Sequence, residues 1–108
     1  MNIAQRTFDS WIILDLNGKL NEVTAKSLTE KVQECLKNGH INLILNFRGI
    51  EFINSPGLGT LISLTKLISR NKGKLRLINL CGFVLELFKA TKLNTVFDIY
   101  SSEEEAIK

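Results

Sequence analysis

Three stretches constrain this chain more than any others, because each is a strand-like apolar run followed by a segment with helical spacing. Residues 11–20, WIILDLNGKL, open with a continuous apolar run from Trp11 to Leu14. Residues 41–47, INLILNF, are rich in β-branched and large apolar side chains and read as a buried strand. Residues 74–80, KLRLINL, alternate as a strand does. After the first run, Ala25, Leu28, Val32, Cys35 and Leu36 recur at helical spacing. Lys26, Glu30, Lys31, Glu34 and Lys37 are left for water. After the second run, a helix is predicted from about Pro56 to Arg70. Leu58, Leu61, Ile62, Thr65 and Ile68 mark its face, and Leu64 and Leu67 widen it. After the third, FVLELFKAT (83–91) puts Val84, Leu87, Phe88 and Thr91 on one side of a short helix. Weak alternation over 3–8 adds an edge strand, and TVFDIY (95–100) a final short strand. The terminal SSEEEAIK starts with serines and acids, which favour a helix N-terminus. The predicted order is β-β-α-β-α-β-α-β-α. It implies one α/β domain over residues 1–108, with a four- to five-stranded mixed sheet and about four helices packed on it.

The punctuation between these elements has its own physical logic. Asn17-Gly18 is a strong turn signal, so the strand from Trp11 is expected to turn there. Asn21 is a plausible N-cap for the first helix, and Gly39 its stop. RGIEF (48–52) is either a short connection or a second strand fragment. Asn71-Lys72-Gly73 ends the second helix.

Composition then removes several function classes. The chain has 108 residues, 44% apolar and 23% charged, as in ordinary globular domains. Its net charge of +3 is scattered, and no block of like cations exceeds two, so nucleic acid is not an expected partner. No window approaches the run of about 20 apolar residues that a membrane span needs. MNIAQRTFDSW lacks the apolar core of a signal peptide, so a cytoplasmic protein is expected. Cys35 and Cys81 fit neither a CxxC pair nor a disulfide framework, and both are expected to be free and buried.

The chemistry is concentrated in FINSPGLG (52–59), where a strand-like run meets a helix pattern. Ser55 does not lie in a G-x-S-x-G elbow. The single histidine, His40, falls in a predicted loop, and no cluster has metal-ligand spacing. Gly57-Leu58-Gly59 completes neither a P-loop nor a dinucleotide fingerprint, so no cofactor is expected. What remains is the helix start. Its first N–H groups lack intrahelical partners, and the dipole is positive there. Pro56 suits the first helical position and Ser55 the N-cap. A phosphoryl group on Ser55 would bring roughly −1.5 to −2 charges to that spot. Gly57 and Gly59 keep the surrounding surface low.

LILNFRGIEFINSPGLGTLISLTKLISRNKGKLRLINL resembles the signature of STAS domains, and most of all the small free-standing bacterial anti-sigma factor antagonists. LDLNGKLN upstream and LELFKATKLNTVFDIYSSEEEAI downstream are similar to the family's flanking segments, in family order. The resemblance implies a non-enzymatic switch. In its unphosphorylated form such a protein binds an anti-sigma factor that is also a serine kinase, and thereby releases a sigma factor. The kinase phosphorylates the serine that opens the helix, here Ser55, and a PP2C-type phosphatase resets it. The implied docking residues are Asn54, Ser55, Pro56, Gly57, Leu58 and Gly59. Phe83 and Leu85 are candidate apolar contacts, and His40, Arg48 and Glu51 candidate rim residues.

Four positions depart from the family pattern. Asn46 and Asn54 stand where it has aspartates, Pro56 where it has a second Ser or Thr, and Lys92 where it has Gly. The two asparagines are expected to lower the local negative charge. The alternatives are a constitutive STAS scaffold or accessory subunit in a lipid-transport or stress-signalling complex, and a nucleotide-binding enzyme resting on the paired glycines alone.

Overall fold

The computed structural model describes all 108 residues. The strands are β1 (Asn2–Phe8), β2 (Trp11–Leu20), β3 (Asn42–Ile53), β4 (Lys74–Ile78) and β5 (Asp98–Tyr100). The helices are α1 (Thr24–Lys37), α2 (Ser55–Arg70), α3 (Gly82–Ala90) and α4 (Glu103–Ala106), with a 3₁₀ turn at Leu93–Thr95. The strands lie in the order β1-β2-β3-β4-β5. β1 is antiparallel to β2, and every other pair is parallel. Each βα unit steps one strand along in the same direction. Crossovers of one hand then put α1, α2 and α3 on one face of the sheet.

Strand alternation divides the core between the two faces. Ile12, Leu14 and Leu16 of β2, Leu43, Leu45 and Phe47 of β3, and Leu75 and Leu77 of β4 pack against α1–α3 in the main cluster. Trp11, Ile13, Ile44 and Ile78 point the other way and meet Ala106 of α4. The expected mixed sheet with four helices is the observed one. No helix is long and apolar enough to cross a membrane.

Several local expectations are corrected. Asn17-Gly18 does not turn the chain. β2 runs through it to Leu20, because Lys19 and Leu20 pair with Phe52 and Ile53 of β3. Gly18 instead takes a φ of 118° at a register shift, which bends the strand without ending it. RGIEF is therefore no loop, since β3 is continuous through it. The last strand starts only at Asp98, because Lys92 (φ 60°) and the 3₁₀ turn occupy the residues before it. Cys35 is buried in the main core, and burial pushes its thiol pKa up. Cys81 is exposed, because the chain has left the sheet there and is extended ahead of α3.

Asn21 is not the N-cap of α1; that position is Val23, whose side chain makes no capping bond, and Asn21 acts from two residues earlier. Asn21 Oδ1 accepts from the N–H groups of Val23 and Thr24, each at 3.0 Å. Thr24 Oγ1 accepts from the Asn21 N–H at 2.9 Å. This reciprocal arrangement has the logic of a capping box.

Candidate functional site

The site forms where β3 hands over to α2. Asn54 is extended (φ −108°, ψ 179°) and is the N-cap of α2. Its Oδ1 accepts from the Gly57 N–H at 3.0 Å, and its backbone carbonyl accepts from the Leu58 N–H at 2.9 Å. Its own N–H donates to the Leu20 carbonyl at 3.2 Å, which ties the cap to the end of β2. Ser55 is thus the first helical residue and Pro56 the second, one place later than the sequence pattern predicts for each. Proline is tolerated throughout a first turn, so it did not fix the cap. Asparagine caps at least as well as serine, and Asn54 has a second anchor that Ser55 lacks.

That anchor is Glu22. Asn54 Nδ2 donates to Glu22 Oε2 at 2.8 Å, while Oδ1 of the same amide accepts from Gly57. An aspartate could accept from Gly57 but could not donate to Glu22. Asn46 follows the same rule. Its Nδ2 donates to Asp15 Oδ1 at 2.8 Å, and its Oδ1 accepts from the Arg48 N–H at 3.1 Å and from Asn79 Nδ2 at 2.9 Å. Each asparagine thus has a carboxylate as its side-chain partner. A carboxylate stands one hydrogen bond away, on β2 beside Asn46 and on the β2–α1 loop beside Asn54.

Ser55 is exposed, and its hydroxyl makes no hydrogen bond within the protein. Most first-turn donors are already engaged. Gly57 and Leu58 bond to Asn54, and Pro56 has no N–H. The two glycines do different things. A Cβ on Gly57 would lie 2.5 Å from the Leu20 carbonyl oxygen, whereas one on Gly59 would meet nothing within 4 Å. Gly57 lets the helix press onto β2, which makes Gly57, Leu61, Leu64 and Ile68 the buried row. Leu58, Ile62, Thr65 and Leu67 are only half-buried, so the stripe is rotated from the one predicted.

Apolar side chains surround this polar hinge. Phe52, two residues before the cap, is 41% exposed and stacks on Phe83 of α3, 53% exposed, with ring centroids 5.7 Å apart and planes 9° from parallel. Val23, beside Glu22, is 69% exposed. Phe83 was anticipated as an apolar contact; Leu85 is half-buried. Glu51 is exposed near the end of β3, but His40 precedes that strand and so lies at its opposite end. Arg48 lies on the other side of the hinge, lining a shallow hollow with Asp15 and Asn46. Sequence reasoning missed Glu22, Val23 and Phe52. The available signal was two apolar residues, Val23 and Phe52, that fit neither neighbouring helix stripe nor core run.

The STAS domain family matches residues 2–106. The anti-sigma-B factor antagonist of Bacillus subtilis is 24% identical over 108 residues, covering 100% of this chain and 98% of that protein. A crystal structure from Thermotoga maritima, of a protein proposed as an anti-sigma factor antagonist, is similar with a TM-score of 0.89. It is 27% identical, and the match covers 97% of this chain and 91% of that one. The phosphorylated form of the Bacillus cell fate determinant SpoIIAA matches with a TM-score of 0.72 at 20% identity, over 98% of this chain and 96% of that one. The family match runs through every strand and helix described above, and the chain belongs to the STAS domain family.

Proposed function

We propose that this protein is an anti-sigma factor antagonist. It is a non-enzymatic module that docks through the Ser55 hinge onto an anti-sigma factor with serine kinase activity and so releases a sigma factor. Phosphorylation of Ser55 ends the docking, and a PP2C-type phosphatase restores it. The observation that carries this reading is an exposed serine hydroxyl with no internal partner, on the first turn of α2 and bordered by exposed apolar side chains. Such a surface has the apolar centre and polar rim of a transient interface. Because Asn54 already occupies the first-turn donors, a phosphoryl group on Ser55 has little of the helix end left to bind. Its charge stays at the surface, where it repels a docked protein or spoils its fit. The named relatives support the same reading, and SpoIIAA exists in a phosphorylated form.

The test uses the purified chain, ATP and the anti-sigma kinase encoded in the same genome, with phosphate mapped by mass spectrometry. Label on Ser55 is expected. Ser55→Ala is expected to keep kinase affinity, and Ser55→Asp to weaken it about tenfold or more, as like-charge or desolvated-charge mismatches do. An active kinase that leaves Ser55 unlabelled, with Ser55→Asp binding unchanged, overturns the switch and leaves a constitutive scaffold.

A further inference from the structure

The geometry points to Glu22 as a specificity-determining residue of this docking face, an acid held in place to be read by a lysine or arginine of the partner. The inference rests on the docking proposed above and adds the chemistry of the group that must face it. An exposed glutamate is ordinarily a mobile, solvated chain. This one is held by Asn54, whose amide is itself fixed at its other end by the helix backbone. Pinning lowers the ordering cost that a partner would otherwise meet on binding. No cation neutralises the carboxylate. The protein's ion pairs are Arg6–Asp15, Arg6–Glu103, Lys31–Glu34 and Arg76–Asp98, and none involves Glu22. Lys26 shares the groove between Glu22 and Thr60 but forms no such pair. The backbone N–H of Glu22 and then the Asn54 amide hold the Glu22 carboxyl below the usual range. Exposed Val23 adjoins it in sequence, and exposed Phe52 lies two residues before Asn54. A charge-complementary partner would therefore bring apolar contact together with one basic group. What sets Glu22 apart from the other unpaired acids is that a side-chain amide holds it in place, and a held anion selects for such a group. Glu22 and Ser55 belong to different elements, so a basic group placed for one is not thereby placed for a phosphate on the other.

Two substitutions separate charge from geometry. Glu22→Gln keeps an acceptor for the Asn54 amide and removes the charge. The double variant Glu22→Gln with Asn54→Asp reverses that hydrogen bond, keeps an acceptor for the Gly57 N–H, and moves the charge to position 54. Both are expected to leave Gly57 amide exchange unchanged. Binding of the same purified kinase at low salt is expected to fall about 5–10-fold for both, with a flatter salt dependence, as rim charges behave. Wild-type binding matched by Glu22→Gln overturns this inference alone, as does full affinity in the double variant. A wild-type chain that does not bind the kinase overturns the docking reading and this inference with it.

Discussion

Gly57 and Gly59 lie two residues apart on one helix and should respond to alanine with opposite signs. In Gly57→Ala, the new methyl would sit 2.5 Å from the Leu20 carbonyl, a contact that only a shift of the helix relieves. Overpacking of this kind costs about 1–3 kcal/mol. In Gly59→Ala, the methyl enters open space, and the gain in helix propensity is up to about 1 kcal/mol. Urea unfolding of the two variants decides the matter, and a stabilised Gly57→Ala would contradict the close approach described here. The pair also shows what a sequence can and cannot disclose at this scale. Hydrophobic counting places Leu58 on the core face, because it gives a glycine no weight. The structure puts Gly57 there, since the row that reaches the sheet is the one with no side chain in the way. Asn46 and Asn54 were visible as departures from a family pattern, but their reason was not. Each needs a carboxylate from a segment 31 or 32 residues earlier in the chain, and no local pattern announces that pairing.

At the scale of elements, strand and helix order was legible because each segment carries its own period, and 2.0 and 3.6 are hard to confuse over ten residues. Ends were less legible. Asn17-Gly18 has the composition of a hairpin turn, yet the parallel partner supplied by β3 keeps β2 extended. The same two strands, with β1, carry a polar ladder on the face opposite α1–α3. Arg6 of β1 donates to Asp15 of β2 at 2.6 and 2.9 Å, and Asn46 of β3 donates to the same carboxylate at 2.8 Å. Arg6, and secondarily Asn46, hold the Asp15 carboxyl below its ordinary pKa. A depressed folded pKa contributes stability that is fully present above the unfolded value of about 3.9. That contribution is lost as pH falls through the folded value. Urea midpoints measured from pH 6 down to pH 2 should therefore drop more steeply for the wild type than for Asp15→Asn. The two curves should converge at the acid end. Parallel curves would mean that the ladder adds nothing across that window.

For the whole molecule, the two faces of the sheet are closed by different means. α1–α3 cover one face with a continuous apolar layer, whereas the other has only the single turn of α4 and its flanking residues. So short a helix has little stability of its own, and its position has to come from tertiary contacts. Arg76 of β4 supplies many of them. Its guanidinium lies 4.7 Å from the Trp11 ring centroid and 5.0 Å from that of Tyr100. It pairs with Asp98 at 3.0 Å and donates to the carbonyl of Ala106, the last residue of α4. On the far side, Arg6 donates to Glu103 at 2.7 Å, so two arginines hold the C-terminal turn against the sheet. Removing the Arg76 guanidinium takes away a cation–π stack and a charged hydrogen bond to a carbonyl, together about 2 kcal/mol. Arg76→Ala should lower the urea midpoint accordingly. It should also shift the emission of Trp11 to longer wavelength, because this only tryptophan, now 8% exposed, loses its cover. Arg76→Lys should recover less than half of the loss, since an ammonium keeps the charge but neither the planar stack nor the fork of donors. The Ser55 hinge is built by β2, β3 and α2 at the end of the opposite layer, so kinase binding by Arg76→Ala should match the wild type at temperatures where both are folded. An unshifted Trp11 spectrum would mean that α4 stays seated without Arg76, and that the apolar contacts of Ala106 and Ile107 are enough to close the second face.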